Sequence, residues 1–374
     1  MRITVYADRP HISRSDMAEG AKTKEKIDKY VAYVSTYTRN AKLGIHIYDV
    51  DNKKGRFTEK DEVEITNSSY ISISHNGKYL YAITDFGVES FKIKADGKLD
   101  KMGTASINGM RGCYLSTDYE DKYLFVAGYH DAKVTVLRIN ADGSVGDITD
   151  EIFSAGLGSI IERSFLPHVT CTKMTRDNKF LCVCDIGMDQ VKIFDFDPAT
   201  GKLKFRDMIH CDQDSGPRYI KFHRNGKFAY VSHEMANKID IYSYETVNGM
   251  PDFEKIGSVS TVDDDHGASG RITCAMKFSS DHKLLMSSVA GSNSVAIFKV
   301  DEKTGLLERR IQLPVSGDYP KDVAFFPDSK HIVSLNHESN TMSFFNLDLK
   351  DNLIIMNGPF IKVPSGNCII TKKL

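Results

Sequence analysis

The 374-residue sequence predicts an all-β fold, a seven-bladed β-propeller of four-stranded antiparallel blades, and three observations carry that prediction. A short motif, Lys followed by aromatic or apolar residues, recurs seven times along the chain. The lysines stand about 50 residues apart, the period of a four-stranded propeller blade. Six of the seven copies follow a turn, which demands a strand before them, and a second recurring turn demands further strands after them.

The motif reads Lys29-Tyr-Val-Ala-Tyr-Val34, Lys78-Tyr-Leu-Tyr-Ala-Ile83, Lys122-Tyr-Leu-Phe-Val-Ala127 and Lys179-Phe-Leu-Cys-Val-Cys184, then Lys227-Phe-Ala-Tyr-Val-Ser232, Lys283-Leu-Leu-Met-Ser-Ser288 and Lys330-His-Ile-Val-Ser-Leu335. The spacings are 49, 44, 57, 48, 56 and 47. An apolar run of this length after a turn is a buried strand, here strand B. Turns such as His75-Asn-Gly77 and Arg224-Asn-Gly226 precede it, and before them lies strand A, for example Tyr219-Ile-Lys-Phe222. Alternating segments such as Val134-Thr-Val-Leu137 and Ile239-Asp-Ile-Tyr242 follow as strand C. A second turn recurs at Ala95-Asp-Gly97, Ala141-Asp-Gly143, Ala199-Thr-Gly201 and Lys303-Thr-Gly305, and leads into strand D. The first copy lacks strand A and the last is followed by an extra one, Gly366-Asn-Cys-Ile-Ile-Thr371. This tail strand should complete blade 1 and close the ring. The domain is therefore 29–374, behind an N-terminal extension of residues 1–28. The absence of Trp speaks against WD-type and kelch-type repeats.

Composition narrows the function. A net charge of −1 speaks against general nucleic-acid or membrane-surface affinity. The first residues lack a signal-peptide run and no stretch approaches a spanning helix. The seven cysteines are scattered in apolar strands without a C-x-x-C pair, so neither a disulfide framework nor a zinc site is expected. A cytoplasmic chain, monomeric or homodimeric, without metal or cofactor is the expectation.

The propeller frame locates a site. Starts of strand A and ends of strand B share one rim of the central channel, with the D-to-A and B-to-C loops. The two long spacings put extended D-to-A segments near 151–167 and 258–270 on that rim. Strand A starts carry Arg111, His168, Arg218, Arg271 and Lys321; strand B ends carry Asp85, His130, Asp185, His233, Glu234, His337 and Glu338. Cations around a channel mouth suit a small anionic substrate, a carboxylate or phosphate, and His and Glu beside them suit proton transfer. The run Asp263-Asp-Asp265 reads as a solvated loop.

On these residues the chain resembles the lactonase propellers of the 6-phosphogluconolactonase type, related to fungal carboxy-cis,cis-muconate cyclase. The resemblance spans about residues 29–370. It rests on Tyr33-Val-Ser-Thr-Tyr-Thr38 with Gly44-Ile-His-Ile-Tyr48, on Leu166-Pro-His-Val169 with Asp185-Ile-Gly-Met-Asp-Gln-Val191, and above all on Gly216-Pro-Arg-Tyr-Ile-Lys-Phe222 with His233-Glu234. It implies catalytic roles for His168, Arg218 and Glu234, which the rim argument selects independently. Arg271, Lys321, Asp185, His337 and Arg111 are the expected substrate-binding residues. The implied chemistry is hydrolysis of a lactone on an anionic sugar acid. A muconate-type cycloisomerase and a non-catalytic ligand- or partner-binding propeller are the alternatives. Three departures bear on the choice: Ala290 stands where the family has Arg, Ala275 where it has Glu, and Lys321 where Pro-Arg-Asp is common. Arg271 or Arg163 is the expected replacement cation.

Overall fold

The computed structural model describes residues 28–38, 43–158, 165–263 and 270–374, and they form seven sheets in a ring. Blade 1 holds β1 (Tyr30–Thr36), β2 (Leu43–Asp51) and β3 (Arg56–Glu64). Blade 2 holds β4 (Ile71–Ile73), β5 (Tyr79–Thr84), β6 (Gly87–Ile93) and β7 (Leu99–Ala105). Blade 3 holds β8 (Tyr114–Thr117), β9 (Tyr123–Gly128), β10 (Lys133–Ile139) and β11 (Val145–Phe153). Blade 4 holds β12 (Val169–Met174), β13 (Phe180–Asp185), β14 (Gln190–Phe196) and β15 (Leu203–His210). Blade 5 holds β16 (Pro217–Phe222), β17 (Phe228–His233), β18 (Lys238–Val247) and β19 (Met250–Ser260). Blade 6 holds β20 (Ile272–Phe278), β21 (Leu284–Ala290), β22 (Ser294–Val300) and β23 (Leu307–Pro314). Blade 7 holds β24 (Pro320–Phe325), β25 (His331–Asn336), β26 (Thr341–Asp348), β27 (Leu353–Met356) and a short β28 (Ile361–Lys362).

The tail strand β29 (Gly366–Lys373) pairs antiparallel with β1 as the inner strand of blade 1, so the ring closes as the repeat predicts. Blade 7 departs from the four-strand pattern: β27 and β28 both pair with β26, at its two ends. Pro359 between them has no N–H for the ladder. Asn357 just before it turns toward blade 1, accepting from Arg56 at 2.6 Å and donating to the Lys54 carbonyl at 2.7 Å.

The recurring second turn joins blade to blade. Tyr33, Tyr81 and Tyr230 on strands B donate their hydroxyls to the carbonyls of Gly97, Gly143 and Gly305 in the C–D turn of the next blade, at 2.7, 3.0 and 2.8 Å. These glycines hold positive φ, and a Cβ on Gly143 would meet the Tyr79 ring at 2.2 Å. Tyr81 and Tyr230 stand three places after their repeat lysines, but Tyr33 stands four places after Lys29. The true frame of blade 1 therefore begins at Tyr30, one residue later than the lysine pattern implies. Apolar side chains of strands B and C fill the spaces between blades, Phe125, Leu181, Val231 and Phe298 among them, all fully buried. Among the described residues no helix is long and apolar enough to cross a membrane. All seven cysteines are free thiols.

Candidate active site at the channel mouth

The inner strands carry a local irregularity that creates the site. Pairing of strands A and B slips between Val169 and Cys171, Pro217 and Tyr219, Thr273 and Ala275, and Pro320 and Asp322. The same slip joins β1 to β29, where Ser35 faces Cys368 and Thr36 faces Gly366. Each slip leaves one residue outside the ladder: Thr170, Arg218, Cys274, Lys321 and Asn367. A bulged residue is re-aimed relative to its neighbours, and in three of these five blades it is a polar side chain facing the mouth of the channel.

There a cavity of about 340 Å³ opens. Arg111, Arg218, Lys321, Glu234, Tyr37 and Asn367 are among its lining residues, with Tyr129, His130, Tyr219 and Tyr319. Four of the eight residues expected from the sequence thus share one cavity: Arg218, Glu234, Lys321 and Arg111. Arg218 Nη1 forms an ion pair with Glu234 Oε2, and the Glu234 side chain is 4% exposed. Glu234 itself is pinned by its backbone, whose N–H donates to the Gly216 carbonyl at 2.7 Å and whose carbonyl accepts from Thr273 at 3.1 Å. The buried Nε of Arg218 has no hydrogen-bond partner among the described residues. Burial opposes the charge on Arg218, yet Tyr219 and Glu234 beside it outweigh that penalty and hold its pKa above the ordinary value.

Lys321 and Arg111 flank one aromatic ring. The Tyr37 ring lies 4.7 Å from Lys321 Nζ and 4.9 Å from the Arg111 guanidinium carbon. Arg111 also pairs with Asp85 at 2.9 Å, and Lys321 donates to Asn367 Oδ1 at 2.6 Å. Burial, and then the nearby Arg218, bring the Lys321 pKa down to about 8.

His168 and His337 are not among the cavity's lining residues, but His168 packs on Tyr129, which is. Its ring stacks on the Tyr129 ring at 4.3 Å and its Nδ1 lies 2.8 Å from the Tyr129 carbonyl. A carbonyl can only accept, so Nδ1 carries the proton and the neutral ring keeps its lone pair on Nε2. His337 is held in the same way, Nδ1 at 2.8 Å from the Gly366 carbonyl and its ring edge-on to Tyr37 at 5.9 Å.

Two expected substrate ligands take other roles. Asp185 is fully buried; it accepts from the His168 backbone N–H at 2.9 Å and from Lys192 Nζ at 3.0 Å. Its pairing with β12 turns its carboxylate into the sheet, where it anchors the loop that carries His168. Arg271 turns away to donate to the Asp263 carbonyl at 3.1 Å and is not among the cavity's lining residues. The other cations lining the cavity with Arg218 are Lys321 and Arg111; of the two replacement cations expected, Arg271 does not line it and Arg163 lies outside the described residues, as do residues 1–27, 39–42, 159–164 and 264–269, including Asp264 and Asp265. Ala275 and Ala290 are both buried and supply no polar group. The tyrosines of the wall, Tyr37, Tyr129 and Tyr319, are absent from the sequence-based set. The sequence marks Tyr319 only by the Pro320 that follows it; the structure adds a φ of 55°, rare for a bulky residue. As for metals, the described residues bring His46, Glu59 and Glu62 together on the outer strands of blade 1, ligand atoms within 4.8 Å, but His46 and Glu62 already bond each other at 3.0 Å.

A ring of seven four-stranded blades with an arginine–glutamate pair and further cations at one mouth defines a class. The chain belongs to the lactonase family of seven-bladed β-propellers, whose family model matches residues 31–371. Its relatives include the 6-phosphogluconolactonase of Bacillus subtilis, 27% identical over 347 residues that cover 91% of this chain and 98% of that one. An uncharacterised Lactococcus lactis protein is 30% identical over 353 residues, covering 93% and 99% of the two chains. Among solved structures, the periplasmic gluconolactonase of Pseudomonas aeruginosa superposes with a TM-score of 0.85 at 22% identity, over 92% of this chain and 99% of that one, a likeness of fold.

Proposed function

We propose that the protein hydrolyses the lactone of an anionic sugar acid, 6-phosphogluconolactone or a close relative. The observation that carries the reading is the charge of the cavity. Arg218, Lys321 and Arg111 converge on it, and the buried Arg218 Nε–H has no acceptor among the described residues. An orphaned, buried guanidinium N–H is a donor waiting for an anionic or carbonyl oxygen. The family membership and the name of the Bacillus subtilis relative support the same substrate class.

The chemistry follows from the donors. Arg218 polarises the lactone carbonyl and stabilises the oxyanion as a water oxygen bonds to that carbon. Glu234, which lines the cavity, takes the proton from the water. The ring C–O bond then breaks, and the alkoxide leaving group recovers a proton to give the hydroxy acid. Lys321 and Arg111 hold the substrate's remote anionic group. His168 fixes the Tyr129 wall and offers Nε2 as an acceptor at the same mouth.

Arg218→Ala and Glu234→Gln should each lower kcat/KM for 6-phosphogluconolactone by about 10²–10³. Circular dichroism melts identify the folded variants on which turnover is compared. Unchanged turnover in both folded variants would overturn the assignment. Turnover of a carboxymuconate with none of the sugar lactone would replace hydrolysis with cycloisomerisation at the same residues.

A further inference from the structure

The strand register lines up one more layer of the channel, deeper than the cavity. In blades 2 to 7, the inner-strand residue that faces position three after each repeat lysine is Ser72, Ser116, Lys173, Lys221, Lys277 and Ala324 in turn. Three successive blades contribute a lysine, and the other three a small side chain that leaves them room. The layer above holds Tyr70, Tyr114 and Tyr219, whose rings pack at 4.5 and 5.6 Å. Tyr70 and Tyr219 line the cavity, so this tyrosine layer is its floor and the lysines lie beneath it.

The lysines reach across the channel. Lys221 Nζ of blade 5 bonds the Tyr114 hydroxyl of blade 3 at 3.2 Å, and these blades are not neighbours. Lys277 Nζ of blade 6 reaches Asp322 of blade 7 at 3.1 Å and the Ile369 carbonyl of blade 1 at 3.3 Å. Asp322 is thereby spent: its Oδ2 takes Lys277 and also the Ile369 N–H at 2.9 Å. Lys173 and Lys221 have no carboxylate at ion-pair distance among the described residues. Burial lowers the pKa of both, the Cys171 thiol opposes that fall, and Lys173 and Lys277 push Lys221 further, to about 8. The opposite mouth is also cationic, with Lys173 and Arg176 over the Tyr119 ring at 5.6 and 4.9 Å. Among the described residues the Cys171 thiol in the layer above is the chief group that favours their charge, and without a carboxylate two such ammonium groups are costly unless an anion joins them.

We propose that the channel beneath the tyrosine layer binds a small inorganic anion, of phosphate or halide size, between Lys173 and Lys221, entering from the mouth opposite the catalytic cavity. The site is separate from the lactone site and does not depend on that reading. Ammonium groups act as point charges with three rotatable donors, which suits a small anion better than a shaped organic one.

The test is thermal melting of the full chain near pH 7 at fixed ionic strength, titrated with inorganic phosphate, together with bromide-soaked crystals. Saturating phosphate should raise the melting temperature of the wild type by about 2 °C. Arg111→Ala/Lys321→Ala, which removes the two cations assigned to the substrate's anionic group in the upper cavity, should keep that rise, and adding Lys173→Met/Lys221→Met to it should abolish the rise. Bromide should give an anomalous peak between the two ammonium groups. A rise retained when Lys173 and Lys221 are also replaced, or already abolished by Arg111→Ala/Lys321→Ala, would put the anion elsewhere and overturn the proposal. So would the absence of both rise and peak in the wild type, which would mean that the Cys171 thiol in the layer above balances the lysines. Should the lysine variant fail to fold, the bromide peak decides alone.

Discussion

Lys321 is the residue through which pH reaches the proposed reaction. Its pKa of about 8 lies below the ordinary lysine value, because burial and Arg218 both disfavour the ammonium. Below that pH it is a cation for the substrate; above it the charge is lost. Affinity for an anionic lactone should therefore fall as pH rises through about 8, seen as a KM that climbs by up to about tenfold per pH unit. Lys321→Arg keeps its charge at every such pH and should flatten the climb, as measured by initial rates corrected for spontaneous hydrolysis; an unchanged profile would remove Lys321 from substrate binding. The cations Arg111, Arg218 and Lys321 were legible in the sequence because the repeat makes rim positions comparable, and charge stands out against small or apolar equivalents. Asp185 was misleading for the same reason: its place at a strand end is right, but the direction of its side chain depends on hydrogen bonds to His168 and Lys192 that no spacing encodes. Tyr37 and Tyr129 passed unnoticed because an aromatic at the end of an apolar strand reads as core.

At the scale of strands and turns, the tyrosine–glycine bond between blades does what the turn signature alone does not reveal. Ala-Asp-Gly and Lys-Thr-Gly read as hairpin turns, and they are hairpins. The glycine is also a docking point: its carbonyl takes a buried tyrosine hydroxyl from the preceding blade, and its missing Cβ lets the strands approach. Gly143→Ala would place a methyl 2.2 Å from the Tyr79 ring at a φ of +89°, and should cost about 1–3 kcal/mol. Tyr81→Phe removes only the hydroxyl and should cost about 1 kcal/mol, since the stranded carbonyl loses one bond and little packing. Urea midpoints measure both, and a larger loss for Tyr81→Phe than for Gly143→Ala would show that the bond, rather than the close approach, is what the turn provides. The one-residue offset of blade 1 was hidden because Lys29-Tyr-Val-Ala-Tyr-Val34 fits the lysine motif in either frame; the hydroxyl of Tyr33 decides it.

Across the whole molecule, closure of the ring and assembly of the site are one event. The strand that closes the ring, β29, comes from the far end of the chain, and its bulged residue Asn367 belongs to the cavity. Asn367 accepts from Lys321 of blade 7 at 2.6 Å and donates to the Ser68 carbonyl ahead of blade 2 at 2.9 Å, so a residue of blade 1 ties both neighbours. Two residues on, the Ile369 N–H donates to Asp322, which holds the channel lysine Lys277. Removing 366–374 should therefore do more than shorten an edge. It strips the inner strand from blade 1, exposes the backbone edge of β1 along Tyr30–Thr36, and takes Asn367 from Lys321 and the Ile369 N–H from Asp322. The truncated chain should aggregate or melt without a cooperative transition, whereas Asn367→Ala should keep the ring and weaken the cavity alone, raising KM for the anionic lactone by about tenfold through loss of one charge-assisted bond. Size-exclusion chromatography and melting follow the first, steady-state kinetics the second. A truncated chain that stays monomeric with a native melting temperature would mean that the other six blades hold the ring without the tail, and that the bond from Asn367 to Lys321 is a consequence of closure rather than part of it.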